Sequence, residues 1–253
     1  METRILWWNI HDFPHYKEIF YTLFYISVIF FLYGFYLKIK KWSTGKPKNN
    51  FNNIPGRIKN MFDRSFQALI DDGHPYNGVM YKGLMLVTRK GRLTVIQLED
   101  NARWGDPEAE VLLPLKSNLL DLSIAAAQGN DLGDFQLELA AKSRVAVTIA
   151  SRGYPGDYKW VNDKEIFGVD EVRNLPKVRL YGAGIRADEV AKGRYRYFAN
   201  GGRLLYVVGE GQDVLEARKN AYGAASLIYV EGNNGHYRRD IGIRDVARIY
   251  EAG

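Results

Sequence analysis

The sequence predicts an α+β protein in which one transmembrane helix precedes a folded body. The segment 19–37 carries no charged residue and is rich in Phe, Tyr, Ile and Leu. Later segments alternate apolar and polar residues, as half-buried strands do, and others space apolar residues at the helical period. The chain contains no cysteine, which excludes disulfides, thiolate zinc sites and cysteine-bound iron–sulfur clusters within it.

The predicted transmembrane helix occupies residues 18–41 and follows a short extramembrane segment, residues 1–17. As a helix, the uncharged segment 19–37 would be roughly 28 Å long, enough to cross the apolar core of a bilayer. A buried core helix is the other interpretation of this segment. A secretory signal fits less well, because the region before the span is long and mixed in charge and no small-residue cleavage site follows.

The charges around the span predict its orientation. The residues that follow it include no acid before residue 50 and several lysines, namely Lys38, Lys40, Lys41, Lys46 and Lys48. Cationic residues favour the cytoplasmic side of a membrane. We therefore expect a single-pass protein of the inner (cytoplasmic) membrane, with its N-terminus outside and its body in the cytoplasm.

A basic linker, residues 42–67, is expected to join the span to the body. Its second half, 57–67, places Ile58, Met61, Phe62 and Phe66 at helical spacing and predicts a short amphipathic helix. Such a helix could lie on an anionic membrane surface or pack against the body. The sequence leaves both possibilities open.

The first part of the body is predicted to be a hairpin followed by helices. Strands at 79–88 and 93–99 flank a turn and form an antiparallel pair. Pro107 is well placed as the first residue of one helix. A second helix, over 118–128, has Ser117 as its N-cap and ends at Gly129.

The second part of the body is predicted to contain further strands and one longer helix. The strands cover 143–151, 178–181, 194–199 and 203–208. Asn200-Gly201-Gly202 predicts a tight hairpin turn between the last two strands. Asp213 and Glu216 are spaced as a capping box for a helix over 214–229.

The segment EDNARWGDPE, residues 99–108, carries the candidate chemistry. Because side chains alternate along a strand, we expect Glu99 and Asn101 on one face and Asp100 on the other. A carboxylate beside an amide oxygen forms an all-oxygen site suited to Mg²⁺. Arg103 can bind an anion through two parallel hydrogen bonds. A polar strand end without a ligand is the competing interpretation of these residues.

Nucleic-acid binding is not expected, although the end of the chain is rich in arginine. The basic residues there are interleaved with acids, a pattern typical of a solvated face. The basic residues are Arg238, Arg239, Arg244 and Arg248, and the acids are Asp240, Asp245 and Glu251.

Residues 1–66 resemble the amino-terminal end of membrane-bound heterodisulfide-reductase-like iron–sulfur oxidoreductases. The matching motifs are WNI (8–10), YGFY (33–36), WSTGKP (42–47) and RIKN (57–60). That family continues with further spans and cysteine-bound clusters, which do not follow here. The resemblance therefore implies a membrane segment without implying the redox activity.

Residues 68–245 resemble the carboxy-terminal part of the phosphoribosylamine–glycine ligases, which are ATP-grasp enzymes of purine synthesis. Six motifs occur in the family's order: GVMYKGLM (78–85), EDNARWGDPE (99–108), LLDL (119–122), SRGYPG (151–156), NGGR (200–203) and YRRDIG (237–242). The resemblance implies the C-terminal portion of an ATP-grasp domain, residues 68–142, followed by a small mixed α/β C-terminal domain, residues 143–253.

The ligase resemblance also implies an activity and its ligands. In the family, ATP phosphorylates the carboxylate of glycine, and the amine of phosphoribosylamine then attacks. The resemblance places Mg²⁺ (or Mn²⁺) on Glu99 and Asn101. It places the substrate-facing, catalytic roles on Arg103, Asp106 and Glu108.

The chain departs from the ligase pattern in ways that shape the functional hypotheses. The glycine-binding domain and the ATP lobe that precede this region in the family are replaced by residues 1–66. A separate chain could supply the missing lobe. The competing hypotheses are a membrane-anchored interaction or electron-transfer subunit, bound to the membrane through residues 19–37, and a non-functional fusion of two gene pieces.

Overall fold

The computed structural model describes residues 54–89, 92–112, 119–130, 132 and 142–251. The chain divides into two compact units, Met1–Ala141 and Lys142–Gly253. The predicted transmembrane segment, residues 19–37, and the predicted Ser117 cap lie outside the described residues. None of the helices that are described is long and apolar enough to cross a membrane.

The first unit contains the predicted hairpin, with one described helix before it in the sequence and two after it. Its elements are α1 (Ile54–Asp71), β1 (Tyr81–Arg89), β2 (Arg92–Asn101), α2 (Glu108–Leu112) and α3 (Leu119–Ala127). Strands β1 and β2 pair antiparallel, as predicted. Helix α2 begins one residue later than expected, since Pro107 lies in the preceding turn. Gly129 follows α3 at φ +71°, a backbone conformation that suits glycine at a helix end.

Helix α1 packs on the hairpin through its apolar stripe. Ile58 and Phe62 are fully buried, and Leu84 and Val95 of the two strands pack against them. Of the two possibilities for the amphipathic segment, packing against the body is therefore the one observed. The helix extends from Ile54 to Asp71, so the expected boundary between residues 67 and 68 falls inside it.

The second unit is built from two four-stranded sheets, and all of its strand pairs are antiparallel. Its strands are β3 (Ser143–Ser151), β4 (Glu165–Phe167), β5 (Val178–Gly182), β6 (Ile185–Ala191), β7 (Arg194–Ala199), β8 (Arg203–Gly211), β9 (Tyr229–Val230) and β10 (Gly235–His236). Its helices are α4 (Val169–Arg173), α5 (Val214–Ala225) and α6 (Ile243–Glu251), with a 3₁₀ turn at Lys159–Val161. The prediction of mixed α and β structure with antiparallel pairs is confirmed.

The predicted hairpin between β7 and β8 is wrong. The two sheets have the orders β10-β3-β8-β5 and β6-β7-β4-β9, so β7 and β8 belong to different sheets. The glycine-rich connection at 200–202 carries the chain from one sheet to the other. The hairpin lies one strand earlier, where β6 and β7 pair. A turn motif in the sequence predicts that the chain changes direction, but it does not identify the strand with which β8 pairs.

The core of the second unit lies between the β8 sheet and α5. Strand β8 is buried on both faces from Leu204 to Val208, which explains its continuous apolar run. Helix α5 presents Ala217, Ala221 and Ala224, all fully or almost fully buried, to this core. These small side chains allow the helix backbone to approach the strand closely.

The predicted start of α5 is confirmed, whereas its predicted end is wrong. The Asp213 carboxylate accepts a hydrogen bond from the Glu216 amide at 2.8 Å, as the capping box predicts. The reciprocal bond goes from the Gln212 amide to Glu216, one residue before the cap. The helix ends at Ala225 rather than residue 229, because Tyr229 and Val230 pair with β4 as strand β9.

Candidate functional site

The register of the β1–β2 hairpin determines which side chains can act together. Tyr81 pairs with Asn101, Lys82 with Asp100 and Gly83 with Glu99. Because side chains alternate, Tyr81, Glu99 and Asn101 lie on one face, called here the front face. Lys82 and Asp100 lie on the opposite, back face. Glu99 and Asn101 thus share a face, as their spacing predicts.

A β-bulge at Leu98 turns the end of β2 so that Glu99 and Asn101 lie on the front face. The register steps from Gly83–Glu99 to Leu84–Gln97, which leaves Leu98 without a counterpart in β1. Val95, before the bulge, packs against the core formed with α1. If the same residues formed a regular strand without the bulge, alternation would place Glu99 and Asn101 on the same face as Val95. The bulge therefore removes both side chains from the core face.

The back face carries a polar network around the buried side chain of Lys82. The Lys82 side chain is fully buried, and its Nζ donates to the Asp100 carboxylate at 2.6 Å and to the Ser65 hydroxyl at 2.7 Å. Nζ also lies 3.4 Å from Gln97 Oε1 and 5.3 Å from the centre of the Phe62 ring. Gln97 in turn donates to Asp100 at 2.8 Å. The network joins α1, β1 and both sides of the bulge.

The front face brings Tyr81, Glu99 and Glu108 together. The Tyr81 phenol lies beside the Glu108 side chain. Burial, then the negative charge and hydrogen bond of Glu108, and then the charge of Glu99 raise the pKa of the Tyr81 phenol far above its ordinary value. A Cβ added at Gly105 would lie 2.9 Å from the Tyr81 ring and 3.0 Å from Glu108 Cβ. Glycine at 105 therefore permits this close packing.

The donor set of Glu99 and Asn101 fits a magnesium ion. Glu99 is exposed, and Asn101 is half-buried with an amide nitrogen, Nδ2, that has no hydrogen-bond partner within the described residues. Among the residues that the structure describes, no group of three or more His, Cys, Asp or Glu side chains could hold a metal ion. Magnesium is usually bound by one or two carboxylates together with substrate phosphates. Two protein oxygens are thus a suitable set where the phosphates of a nucleotide supply further ligands to the metal.

The residues with implied catalytic roles are placed differently from one another. Glu108 lies at the start of α2, half-buried and beside Tyr81. Arg103 is exposed, and its Nη1 donates to the carbonyl oxygen of Trp104 at 2.7 Å. Asp106 is exposed in the turn before α2. The structure therefore brings Glu108 to the front face, whereas the Arg103 guanidinium is bonded within its own loop.

Tyr81 and Lys82 are site residues that sequence reasoning did not single out. Both belong to the motif GVMYKGLM, and their roles depend on partners more than fifteen residues away. A lysine within an otherwise apolar strand was the available signal, since such a lysine is rarely buried without a partner. Asp100 lies opposite Lys82 only because of the bulge at Leu98, and the sequence does not reveal that bulge.

Two of the shared motifs also meet in the second unit. The Ser151 hydroxyl, at the end of β3, donates to the carbonyl oxygen of Gly201 at 2.7 Å. Arg203 Nε donates to the Tyr154 hydroxyl at 2.9 Å, and its guanidinium lies 5.8 Å from the centre of that ring. The segments SRGYPG and NGGR, about fifty residues apart in sequence, thus form one packed corner.

A protein-family comparison matches this second unit. Residues 144–244 match the family described as "Phosphoribosylglycinamide synthetase, C domain". The match begins within β3 and ends within α6. It agrees with the resemblance of the C-terminal domain to the ligases.

Curated proteins and a solved structure extend the similarity into the first unit. Phosphoribosylamine–glycine ligases are 35% identical over 76% of this chain in Agrobacterium fabrum and 39% over 69% in Caldanaerobacter subterraneus. The crystal structure of the Thermotoga maritima phosphoribosylamine–glycine ligase is 28% identical, with a TM-score of 0.55 over 73% of this chain. The chain covers only 42%, 38% and 42% of these proteins, respectively.

These comparisons favour one functional hypothesis over its competitors. They give no support to the resemblance of residues 1–66 to heterodisulfide-reductase-like proteins, and a membrane-anchored electron-transfer subunit is not favoured. Over about three quarters of its length, the chain is phosphoribosylamine–glycine ligase-like in sequence and fold.

Proposed function

We propose that the hairpin unit and the C domain act as the metal-binding and substrate-facing part of a phosphoribosylamine–glycine ligase. The substrates would be ATP, glycine and phosphoribosylamine, as the names of the relatives and the family chemistry suggest. Glu99 and Asn101 would hold Mg²⁺ or Mn²⁺. Glu108, Arg103 and Asp106 would face the substrates.

The observation that carries the proposal is the shared front face of Glu99 and Asn101. The bulge at Leu98 turns both side chains away from the core, and Glu108 lies beside them through Tyr81. The exposed Glu99 carboxylate could ligate a metal, and the buried Asn101 nitrogen without a partner among the described residues could donate to a phosphate oxygen. A plain polar strand end would not need the bulge.

Each residue has a defined part in the proposed chemistry. Glu99 supplies a negative oxygen and Asn101 a neutral one, and the metal that they hold would neutralise charge on the phosphates. The contact with Tyr81 would keep the Glu108 carboxylate at the front face. Arg103 would have to exchange its bond to the Trp104 carbonyl for one to an anion.

The proposed reaction requires an ATP lobe besides the described units. The chain spans about two fifths of the length of the ligases that it matches. A separate chain that carries the remaining part is the partner that we propose. ATP-grasp chemistry depends on closing two lobes around the nucleotide, so the proposed activity needs an ATP lobe together with the described units.

A thermal-shift titration of the full chain with Mg·ATP tests the metal assignment. A ligand present at 100 times its dissociation constant should stabilise the parent by about 2.7 kcal/mol. Glu99→Ala should weaken binding by about tenfold or more, because half of the protein oxygen set is lost. Glu171→Ala, which removes an exposed carboxylate on α4, serves as the matched control and should behave as the parent. If Glu99→Ala responds to Mg·ATP as the parent does, the assignment is wrong.

A further inference from the structure

We propose that Lys82 is a positioning residue that holds Glu99 and Asn101 in the register needed to bind metal. The inference deepens the proposed function and rests on it, since it concerns the same metal pair. Lys82 does not touch the front face. It acts through Asp100, which lies between the two candidate ligands in the sequence.

The first step is the geometry of the network. Lys82 Nζ bonds to Ser65 on α1 and to Asp100 on β2, at 2.7 and 2.6 Å. Gln97 lies before the bulge and Asp100 after it, and the two are hydrogen-bonded at 2.8 Å. The lysine thus fixes both sides of Leu98 on the back face. Because the residues on both sides of Leu98 are bonded to each other and to Lys82, the bulge is held at Leu98.

The second step is the consequence of losing that position. A slip of one residue between β1 and β2 exchanges the faces of every side chain in β2 beyond the slip. Glu99 and Asn101 would then point toward the face that packs on α1, and Asp100 would point to the front. Val95 and Leu84, which pack against α1, fix the register before the bulge, whereas Leu98 at the bulge is 58% exposed and is a weak register marker for the end of β2.

The third step is that stability alone does not explain the network. An ion pair with a buried partner is usually no more stabilising than apolar side chains of similar size. Buried polar pairs are better documented as devices that fix register. The position of this pair, directly behind the two candidate ligands, is where such a device affects binding.

The test compares Lys82→Met with two other variants of the full chain. Methionine keeps the length of the buried side chain and removes its charge. Lys59→Met is the matched control, because Lys59 forms an exposed pair with Asp63 on α1 at 2.7 Å. The double variant Lys82→Met/Asp100→Leu replaces the ion pair by apolar groups and is expected to recover the melting temperature of the parent.

Two readouts are measured on each variant. Electron paramagnetic resonance of Mn²⁺ with ATP gives the metal affinity. Nuclear Overhauser contacts between Gly83 and Glu99 report the register directly. We expect Lys82→Met and the double variant to bind Mn·ATP about 10- to 100-fold more weakly and to lose these contacts, whereas Lys59→Met retains both properties.

The outcomes separate this inference from the proposed function. If the parent does not bind Mn·ATP, the proposed function fails, and the cross-strand contacts alone decide the positioning role. Parent-like contacts in Lys82→Met would overturn the inference. Recovery of both affinity and register in the double variant would also overturn it, since the pair would then serve stability only.

Discussion

At the residue scale, Tyr81 connects the two carboxylates of the front face. Its phenol lies beside Glu108, and the charges of Glu108 and Glu99 both favour the protonated phenol. A phenolate between two carboxylates would be repelled by both of them. The arrangement is therefore suited to neutral pH, where the phenol remains intact.

The raised pKa of Tyr81 predicts a pH dependence of stability. Because the folded chain holds the phenolic proton more tightly than the unfolded chain, this contribution is fully present below the ordinary tyrosine pKa of about 10. It is lost as the pH rises from there through the higher pKa of the folded state. Tyr81→Phe should reduce the slope of unfolding free energy against pH in that range, measured by urea denaturation.

The control for this experiment is Tyr195→Phe, which removes an exposed hydroxyl on β7. Other tyrosines contribute to the parent slope, since burial also raises the pKa of Tyr76, Tyr197 and Tyr222. Tyr81→Phe is therefore expected to reduce the slope of unfolding free energy against pH without abolishing it. An unchanged slope in Tyr81→Phe would contradict the assigned environment.

Residue spacing predicted part of the site and missed the rest. The shared face of Glu99 and Asn101 follows from their spacing of two residues along a strand, and the register agrees with it. The spacing does not predict the bulge at Leu98, the Lys82–Asp100 pair or the contact of Tyr81 with Glu108. Each of these depends on which residue of β1 lies opposite which residue of β2, and one strand alone carries no such information.

At the scale of elements, α5 and β8 approach so closely that glycine is required in the strand. A Cβ at Gly209 would overlap the backbone of Ala217 and Ala221. Gly209→Ala should therefore destabilise the second unit by about 1–3 kcal/mol, as overpacked cores do. Urea denaturation with the circular dichroism of the helices as the signal measures this.

Gly223→Ala is the matched substitution within the same helix–strand pair. Gly223 lies inside α5, and nothing lies within 4 Å of the position that its Cβ would occupy. Alanine there should stabilise by about 0.5–1 kcal/mol, because glycine is a poor helix former. Equal effects of the two substitutions would refute the close approach of α5 to β8.

The elements themselves were largely predictable, whereas their partners were not. The alternation of Val145, Val147 and Ile149 predicts β3, and all three side chains are buried. The Asp213 cap predicts the start of α5. The turn at 200–202 predicted a hairpin wrongly, since glycines serve equally to join strands of one sheet and to cross between two sheets.

At the scale of the whole molecule, the membrane anchor is a prediction that the described residues do not test. Residues 19–37 lie outside them. The sequence predicts that the full chain sediments with inner membranes and resists extraction with alkaline carbonate. A variant without residues 1–41 should appear in the supernatant, measured by fractionation and immunoblotting.

A matched control for the fractionation replaces Lys38, Lys40 and Lys41 by glutamine. This variant keeps the uncharged segment and should remain with the membrane, while its orientation becomes less fixed. If the parent chain is found in the supernatant, the prediction of a transmembrane helix is wrong. Residues 1–66 would then need an explanation other than a membrane anchor.

The corner where the chain crosses between the two sheets of the second unit has a practical consequence for protein engineering. Both crossings, β5 to β6 and β7 to β8, pass through this corner, where the Asn200 amide donates to the Gly184 carbonyl at 2.8 Å. A side chain at Gly184 would lie 2.7 Å from the Cα of Gly201. Inserted epitopes or fluorophores should therefore be excluded here and accepted at Gly193, in the β6–β7 turn, where nothing lies within 4 Å of an added Cβ.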